Sequence, residues 1–335
     1  MKTENIEHVF ECFADKKILI IGDVMIDSYM WGEVDRISPE APIPIVCISG
    51  RENRLGGASN VARNIRSLGA EPLMCSVIGN DSNGDEFIRL LNEEGMRTDG
   101  ILRIEDRPTS VKTRIISNGQ HLLRVDEENT NVLTDDTVNK LASKITAICE
   151  SESPDAIIFE DYDKGIITPE LIEHVVALAA DCKIPVSVDP KKRNFMAYKG
   201  VTLFKPNYRE MKEGMKTDFA KSDKAMIRGL IHKLMKDLKV EQVLLTLAEA
   251  GAVIASEDGE DFLPAEIRNI SDVSGAGDTV IATATLCLVC GLDRRDIAYI
   301  ANMAGGLVCE HSGVVPVMRE DLLRELKENP GTGVS

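Results

Sequence analysis

Aromatic residues make up only 4% of this 335-residue chain, with a single tryptophan, and positive charge is scarce: 39 lysines and arginines face 55 acidic residues, for a net charge of −16. A nucleic-acid-binding face needs cations along the phosphates and rings for the bases, so nucleic acid is not an expected partner. No stretch approaches the roughly 20 apolar residues needed to cross a bilayer, so no membrane partner is expected either. The first residues, MKTENIEHVFECFADKK, lack the apolar core of a secretory signal and read as a short amphipathic helix. The five histidines fall at no metal-ligand spacing. The eight cysteines (12, 47, 75, 149, 182, 287, 290 and 309) show no framework spacing and read as reduced thiols of a cytoplasmic protein. Cys287 and Cys290 share one face of an apolar helix with no second Cys or His pair nearby, which favours core cysteines over a metal or redox site. A GxxxxGK[ST] loop is missing, as is a GxGxxG after the first strand, which disfavours a P-loop ATPase and a dinucleotide dehydrogenase.

What is present, 43% hydrophobic and 28% charged residues, is the mix of a soluble globular protein with a sizeable core. The run from Lys17 to Asp23 is apolar and ends in glycine, as a buried parallel strand with a functional loop at its carboxyl end would. Helical spacing follows at 57–69 and 84–94, with a strand at 72–79 between them. Later helices are expected at 135–150, 169–182, 223–238, 276–290, 294–311 and 319–328. Strands are expected at 155–160, 185–189, 202–205, 242–247 and 251–256. Alternating strands and helices predict an α/β fold, a mostly parallel sheet covered on both faces. Two extended stretches, about 28–50 and 98–126, interrupt the alternation and read as a small inserted β-lid. Asn118-Gly119 marks a tight hairpin within the second. No repeat or linker divides the chain, so one domain is expected.

Ligands of open α/β sheets bind beyond the carboxyl ends of the strands. The segments there are Gly22-Asp23 to Asp27, Glu160 to Lys164, Asp189 to Arg193, Lys205 to Glu210 and Asp272 to Asp278, all carrying carboxylates or bases. Gly275, Ala276 and Gly277 open an apolar helix whose free N–H groups can bind an anion such as a transferring phosphoryl group. Asp278 beside them could take the proton of an attacking hydroxyl, or could simply charge the start of a helix. Gly56 and Gly57 before a helix allow close approach of a ligand, and Asn60 offers both donor and acceptor to a hydroxyl-rich molecule. Asn207 and Glu210 could hold Mg²⁺ through water, or cap a helix.

The pair GGASNVA and DVSGAGDT, with NxxE between them, resembles the two signatures of the PfkB (ribokinase-like) carbohydrate kinases. The run IGDVMIDSYMWGEVDRISPEAPIPIV, then LLRVDEE, DYDKG, VDPK and FKPNYRE, resembles that family's heptose 7-phosphate kinase branch, over about Lys17 to Gly313. This implies a ribokinase-like three-layer α/β/α sandwich, ATP as phosphoryl donor, Mg²⁺ and room for a monovalent cation. It also implies transfer to the anomeric oxygen of heptose 7-phosphate for surface-glycan supply, and a homodimer through lids whose apolar face Ile43, Ile45, Val46 and Ile48 could supply. By the same resemblance Asp278 is the base and Gly275, Ala276 and Gly277 the anion hole. The segment Asn207, Tyr208, Arg209 and Glu210 serves the nucleotide phosphates and Mg²⁺, while Thr246, Gly251 and Asn302 lie near the nucleotide. Asp27, Gly56, Gly57, Asn60 and Asp161 hold the sugar.

An acidic chain needs a local cation cluster for a sugar's own phosphate. Candidates are Arg36, Lys112, Arg114 and Arg124 on the lid, and Lys164, Lys191 and Arg193 at strand ends; Lys112 and Arg114 alternate along one strand and share a face. Two departures from the family pattern stand out. The loop from Thr246 to Gly251 lacks the basic residue usual near the threonine, and Ser274 stands where threonine is usual. No HxGH-type motif is present, so no adenylyltransferase activity is expected. The rival expectations are a kinase of another sugar or sugar phosphate, and a catalytically silent sugar-phosphate-binding regulator.

Overall fold

In the strand Lys17–Gly22, Ile18 and Ile20 enter one apolar layer, Leu19 and Ile21 the other, and all four are fully buried. A strand apolar on both faces needs helices on both sides of its sheet. The structure, a computed structural model, describes residues 3–265 and 268–329. In chain order its elements are α1 (Thr3–Ala14), β1 (Lys17–Gly22), β2 (Val24–Ile37), β3 (Pro44–Gly57), α2 (Ala58–Ser67), β4 (Glu71–Gly79), α3 (Ser82–Glu93), β5 (Ile101–Ile104), β6 (Val111–Ser117), β7 (Gln120–Glu127), α4 (Asp135–Glu152) and β8 (Ala156–Glu160). There follow α5 (Pro169–Cys182), β9 (Val186–Asp189), β10 (Leu203–Phe204), α6 (Tyr208–Met215), α7 (Lys224–Leu238), β11 (Gln242–Thr246), β12 (Ala252–Ser256), β13 (Gly259–Leu263), α8 (Ala276–Val289), α9 (Arg294–Val308) and α10 (Arg319–Glu328).

Nine strands form the main sheet in the order β13-β12-β11-β10-β9-β8-β1-β4-β5, with pairings parallel from β11 through β5 and antiparallel at β11–β12 and β12–β13. Helices α1, α2, α8, α9 and α10 cover one face, and α4, α5 and α7 the other. This is the expected ribokinase-like three-layer arrangement. Its parallel strands all end on one side, which collects Asp23, Glu160, Asp189 and Lys205 at a single edge.

The second sheet has the order β3-β2-β6-β7 and leaves the main body one residue after β1. β6 and β7 form the hairpin read from Asn118-Gly119, where both residues have positive φ (51° and 75°). The second sheet's boundaries differ from the expectation. Residues 101–104, assigned to the lid, instead pair in parallel with β4 and extend the main sheet. An extended run by itself does not say which sheet edge it joins. β13 was not foreseen, because GEDFL has too little apolar content to stand out from a loop.

A second correction concerns the cysteines. Cys12 on α1 and Cys290 at the end of α8 form a disulfide, with Cα atoms 6.1 Å apart. Packing of α1 across α8 joins two positions 278 residues apart, a proximity that no local spacing reveals. Cys287 is a buried free thiol, as expected of a core cysteine.

Glycines set the entry to α2. At Gly57 the backbone has φ +62°, and a Cβ there would lie 2.4 Å from the Asp23 carbonyl oxygen. At Gly56 a Cβ would lie 2.1 Å from Asp27 Oδ2. Gly57→Ala is therefore expected to lower the unfolding free energy by about 1–3 kcal/mol, seen as a lower urea midpoint at constant slope.

Candidate active site

Asp23, directly after β1, is completely buried, and its side chain accepts hydrogen bonds from the backbone N–H groups of Tyr162 (2.8 Å), Lys164 (3.2 Å) and Ile166 (3.2 Å). Its carbonyl oxygen accepts from Ala58 N–H at 3.0 Å. One residue thus fixes the loop after β8 and the first turn of α2. Burial, with Asp161 nearby, pushes its carboxyl up to about 6 despite the three donors.

That placement delivers two side chains to Asp278 in the first turn of α8. Asn60 Nδ2 donates to Asp278 Oδ2 at 2.8 Å, and the Tyr162 hydroxyl donates to Oδ1 at 2.7 Å. Gly275, with φ +80°, leaves room for this contact: a Cβ would lie 2.8 Å from Asn60 Nδ2. Asn60 Oδ1 is buried and has no hydrogen-bond partner among the described residues. Burial is the main reason the Asp278 carboxyl is pushed up to about 6; Asn60 and Tyr162 pull it down, and Asp189 pushes it up further.

Beside α8's start lies a network of charge. Asp189, at the end of β9, pairs with Lys205 (2.7 Å) and Lys191 (3.1 Å), and Lys191 reaches Glu210 Oε1 at 2.5 Å. Burial would raise Asp189, but Lys191 and Lys205 hold it below the usual carboxylate range. A Cβ on Gly277 would lie 3.4 Å from Asp189 Oδ2 and 3.6 Å from Lys205 Nζ, so the first turn of α8 opens onto this network. Glu160, at the end of β8, is buried with neither carboxylate oxygen hydrogen-bonded among the described residues; burial first, then Asp189 and Asp278, raise it well above its ordinary value. The arrangement offers a carboxylate with a tuned proton affinity next to helix N–H groups and two lysines. That combination suits moving a proton while holding an anion.

The expected residues divide. Asp278, Gly275, Ala276, Gly277, Asn60, Gly56, Gly57 and Asp27 gather around α8 and the β1 end. Asn207 and Glu210 form a reciprocal cap on α6: Glu210 N–H donates to Asn207 Oδ1 (2.9 Å) and Asn207 N–H to Glu210 Oε2 (2.8 Å). Thr246 pairs with Asn207 through an isolated bridge, while Gly251 and Asn302 meet at Pro264. Lys191, expected at the sugar, sits instead with Asp189 and Glu210. Tyr208 and Arg209 turn away: Tyr208 packs on Phe219 and donates to its carbonyl, and Arg209 is exposed and pairs with Glu213. Asp161 lies beneath the site, its carboxylate taken by Tyr198, Asn194 and the Asp163 N–H. Each of these three follows a strand by one to five residues, and helix phase or loop direction decided which way it points. Tyr162, Asp189 and Lys205 lie in strand-end segments singled out from the sequence but given no role there. Their sequence signals are that position and the DYDKG, VDPK and FKPNYRE segments in which they lie.

The model of the pfkB family of carbohydrate kinases matches residues 15–321. The D-beta-D-heptose 7-phosphate kinase of Bordetella bronchiseptica is 38% identical over 319 residues, covering 94% of this chain and 97% of that protein. The bifunctional protein HldE of Methylobacillus flagellatus is 38% identical over 310 residues, and that of Citrifermentans bemidjiense 35% over 327. This chain spans 63% and 66% of those two proteins' lengths. Phosphofructokinase-2 of Escherichia coli, solved in complex with potassium, superposes with a TM-score of 0.76 at 17% identity, covering 92% of this chain and 97% of that one. Arabidopsis thaliana ribokinase, solved with ribose and ATP, gives 0.71 at 17% identity, with 93% and 99% covered.

A ¹³C NMR titration of the Asp278 carboxyl is expected to show a midpoint near 6. Tyr162→Phe, which removes a donor to the charged form, should move that midpoint upward. An unchanged midpoint would mean the phenol does not tune this group.

Proposed function

The chain belongs to the pfkB family of carbohydrate kinases, and from that premise we propose that it transfers the γ-phosphoryl group of ATP to the anomeric hydroxyl of D-glycero-D-manno-heptose 7-phosphate, giving the 1,7-bisphosphate. That it is a kinase acting on a sugar follows from the family. The choice of heptose 7-phosphate rests on the Bordetella relative, which matches this chain along nearly its whole length. The observation that best supports the mechanism is the buried Asp278 carboxylate held between Asn60 and Tyr162 at the start of α8.

Asp278 takes the proton of the attacking hydroxyl. Asn60 and Tyr162 fix the carboxylate's orientation and keep it ionised at neutral pH. The first-turn N–H groups at Gly275, Ala276 and Gly277, with Lys205 and Lys191, offset charge on the phosphoryl oxygens. Asp27 and the free Asn60 Oδ1 receive sugar hydroxyls. The nucleotide would lie toward Thr246, Gly251 and Asn302. Among the described residues no cluster of three His, Cys, Asp or Glu side chains is arranged to hold a metal. Glu210, whose carboxylate is held by Lys191 and the Asn207 N–H, would hold Mg²⁺ through water, with the nucleotide phosphates as further ligands; the ion would neutralise phosphate charge. The four-stranded sheet would close over the sugar and exclude water. Its exposed Ile37, Ile43, Ile48, Leu123 and Val125 suit pairing of two such sheets in a homodimer. The product would feed activated heptose to a surface glycan.

ADP release in Mg²⁺-ATP should be confined to heptose 7-phosphate among a panel including unphosphorylated heptose, fructose 6-phosphate, fructose 1-phosphate and ribose. Turnover of another sugar would remove the heptose assignment, and binding without turnover would favour a regulator. Asp278→Asn should lower kcat by about 10²–10⁴ with little change in KM. In the wild type, kcat/KM should fall as pH drops through about 6, because the base is then protonated.

A further inference from the structure

Lys112 on the inner side of the four-stranded sheet and Lys164 on the loop after β8 share one carboxylate, and Lys112 has no close contact with any. On that face β2 places Asp27 and Tyr29, β6 places Lys112 and Arg114, and β7 places Arg124 and Asp126, with Asp27, Lys112 and Asp126 in one register row. Most cations nearby are committed. Arg114 pairs with Asp27 and stacks over Tyr29. Arg124 is exposed and chelated by Asp126 through two hydrogen bonds. Lys191 is held by Asp189 and Glu210. Arg193 is exposed and donates to the Thr130 carbonyl, and Arg36 is exposed far along β2.

Lys112 differs. Its side chain is only 15% exposed, yet its nearest carboxylate oxygens, Asp126 Oδ2 and Glu128 Oε2, lie 3.7 and 3.8 Å away, too far for hydrogen bonds. Glu128 Oε2 is itself buried and has no hydrogen-bond partner among the described residues. Glu128 Oε1 binds Lys164 at 2.6 Å, a second lysine whose side chain is 14% exposed. Two largely buried ammonium groups, one from the inserted sheet and one from the main body, thus share Glu128, which bonds only Lys164, while Asp126, the other carboxylate near Lys112, is bonded to Arg124. Burial, and then the neighbouring Lys164, lower the Lys112 ammonium's proton affinity; an added anion would offset both.

The position of the pair relative to Asp278 is set by one loop. Tyr162, which donates to Asp278, and Lys164 are two residues apart, so their Cα atoms lie within about 7 Å. Both backbone N–H groups donate to the same oxygen of Asp23. Lys112 sits one strand over from Asp27, a spacing of about 4.8 Å. We propose that Lys112 and Lys164 clamp the phosphate at the end of the sugar remote from the transfer site, and that Glu128 holds the clamp in its place until a phosphorylated sugar arrives. The loop 162–164 then acts as a ruler between the attacking hydroxyl and the remote phosphate. This rests on the sugar-kinase reading above but not on the sugar being a heptose.

The test is kcat/KM for sugars offered with and without a terminal phosphate, in the wild type, Lys112→Met, Lys164→Met and Lys164→Arg. In both methionine variants the preference for the phosphorylated form should fall about 10–100-fold, mainly through KM, and Lys164→Arg should retain part of it. Equal losses on both forms, or no loss, would overturn the clamp. If the preferred substrate is another sugar phosphate and its preference collapses in the methionine variants, the clamp stands and the heptose assignment fails. If the wild type turns over sugars but does not distinguish phosphorylated from plain ones, the clamp is refuted. Inorganic phosphate gives an independent readout. It should inhibit the wild type competitively against the sugar, and the Lys112→Met/Lys164→Met double variant at least 10-fold less; equal inhibition of the two would count against the clamp.

Discussion

The burial of one carboxylate organises the site. Asp278 is 4% exposed, and a carboxylate removed from water to that degree is stable only where donors meet both its oxygens. Asn60 and Tyr162 do so from two elements distant in sequence. Gly275 must be a glycine for Asn60 to come close enough. Asp23 must hold the Tyr162 loop and the start of α2 in mutual register. The proton affinity of Asp278 is a result of the same geometry. Because the charged form is the disfavoured one, its burial costs stability above pH about 6. That cost fades as pH falls from there toward the ordinary carboxylate value.

The parallel sheet makes the rest possible. Its strands end at one edge, so charged residues that follow β1, β8, β9 and β10 meet without any local relationship in sequence. The result is a graded field. Toward α6 the charges are paired: Asp189 between Lys191 and Lys205, and Lys191 on Glu210. Toward β8 the carboxyl of Glu160 has no hydrogen-bond partner among the described residues and feels Lys191 and Lys205 only through their charge. A phosphate that draws these lysines away leaves their buried carboxylates to take up a proton or water, so anion binding is linked to the protonation of the network. The inserted sheet repeats that logic at Lys112, Lys164 and Glu128, where a protein carboxylate occupies a position chemically suited to a dianion.

Much of the fold was legible in the chain. The helix at 169–182 starts at Pro169 after the Thr168 cap and ends before Lys183 in a left-handed conformation, and the strand–helix alternation predicted the layers. Asn118-Gly119 marked the hairpin because both positions tolerate positive φ. Other features were not legible. Residues 101–104 are extended in either sheet, and only the position of β4 decides which one they join. Lys191 reads as a cation free for a sugar phosphate, yet Asp189 and Glu210 take it. Tyr208 and Arg209 lie inside a motif whose outer members, Asn207 and Glu210, cap a helix; helix phase packs Tyr208 against Phe219 and the core and leaves Arg209 in solvent, paired with Glu213.

The sequence by itself determined the layer architecture, the hairpin, the glycine entries to α2 and α8, and the identity of the carboxylate at the start of α8. These depend on periodicity, turn chemistry and motifs, all of them local. Only the tertiary structure decided that Tyr162 meets Asp278, that Asp23 serves as the common tie, that Asp161 faces the core, that Cys12 joins Cys290, and that Lys112 shares a carboxylate with Lys164. Each of these is a contact between elements that lie apart along the chain. Their geometry follows from strand order and from packing around Ile18, Ile20, Leu19 and Ile21, which spacing along a sequence does not encode.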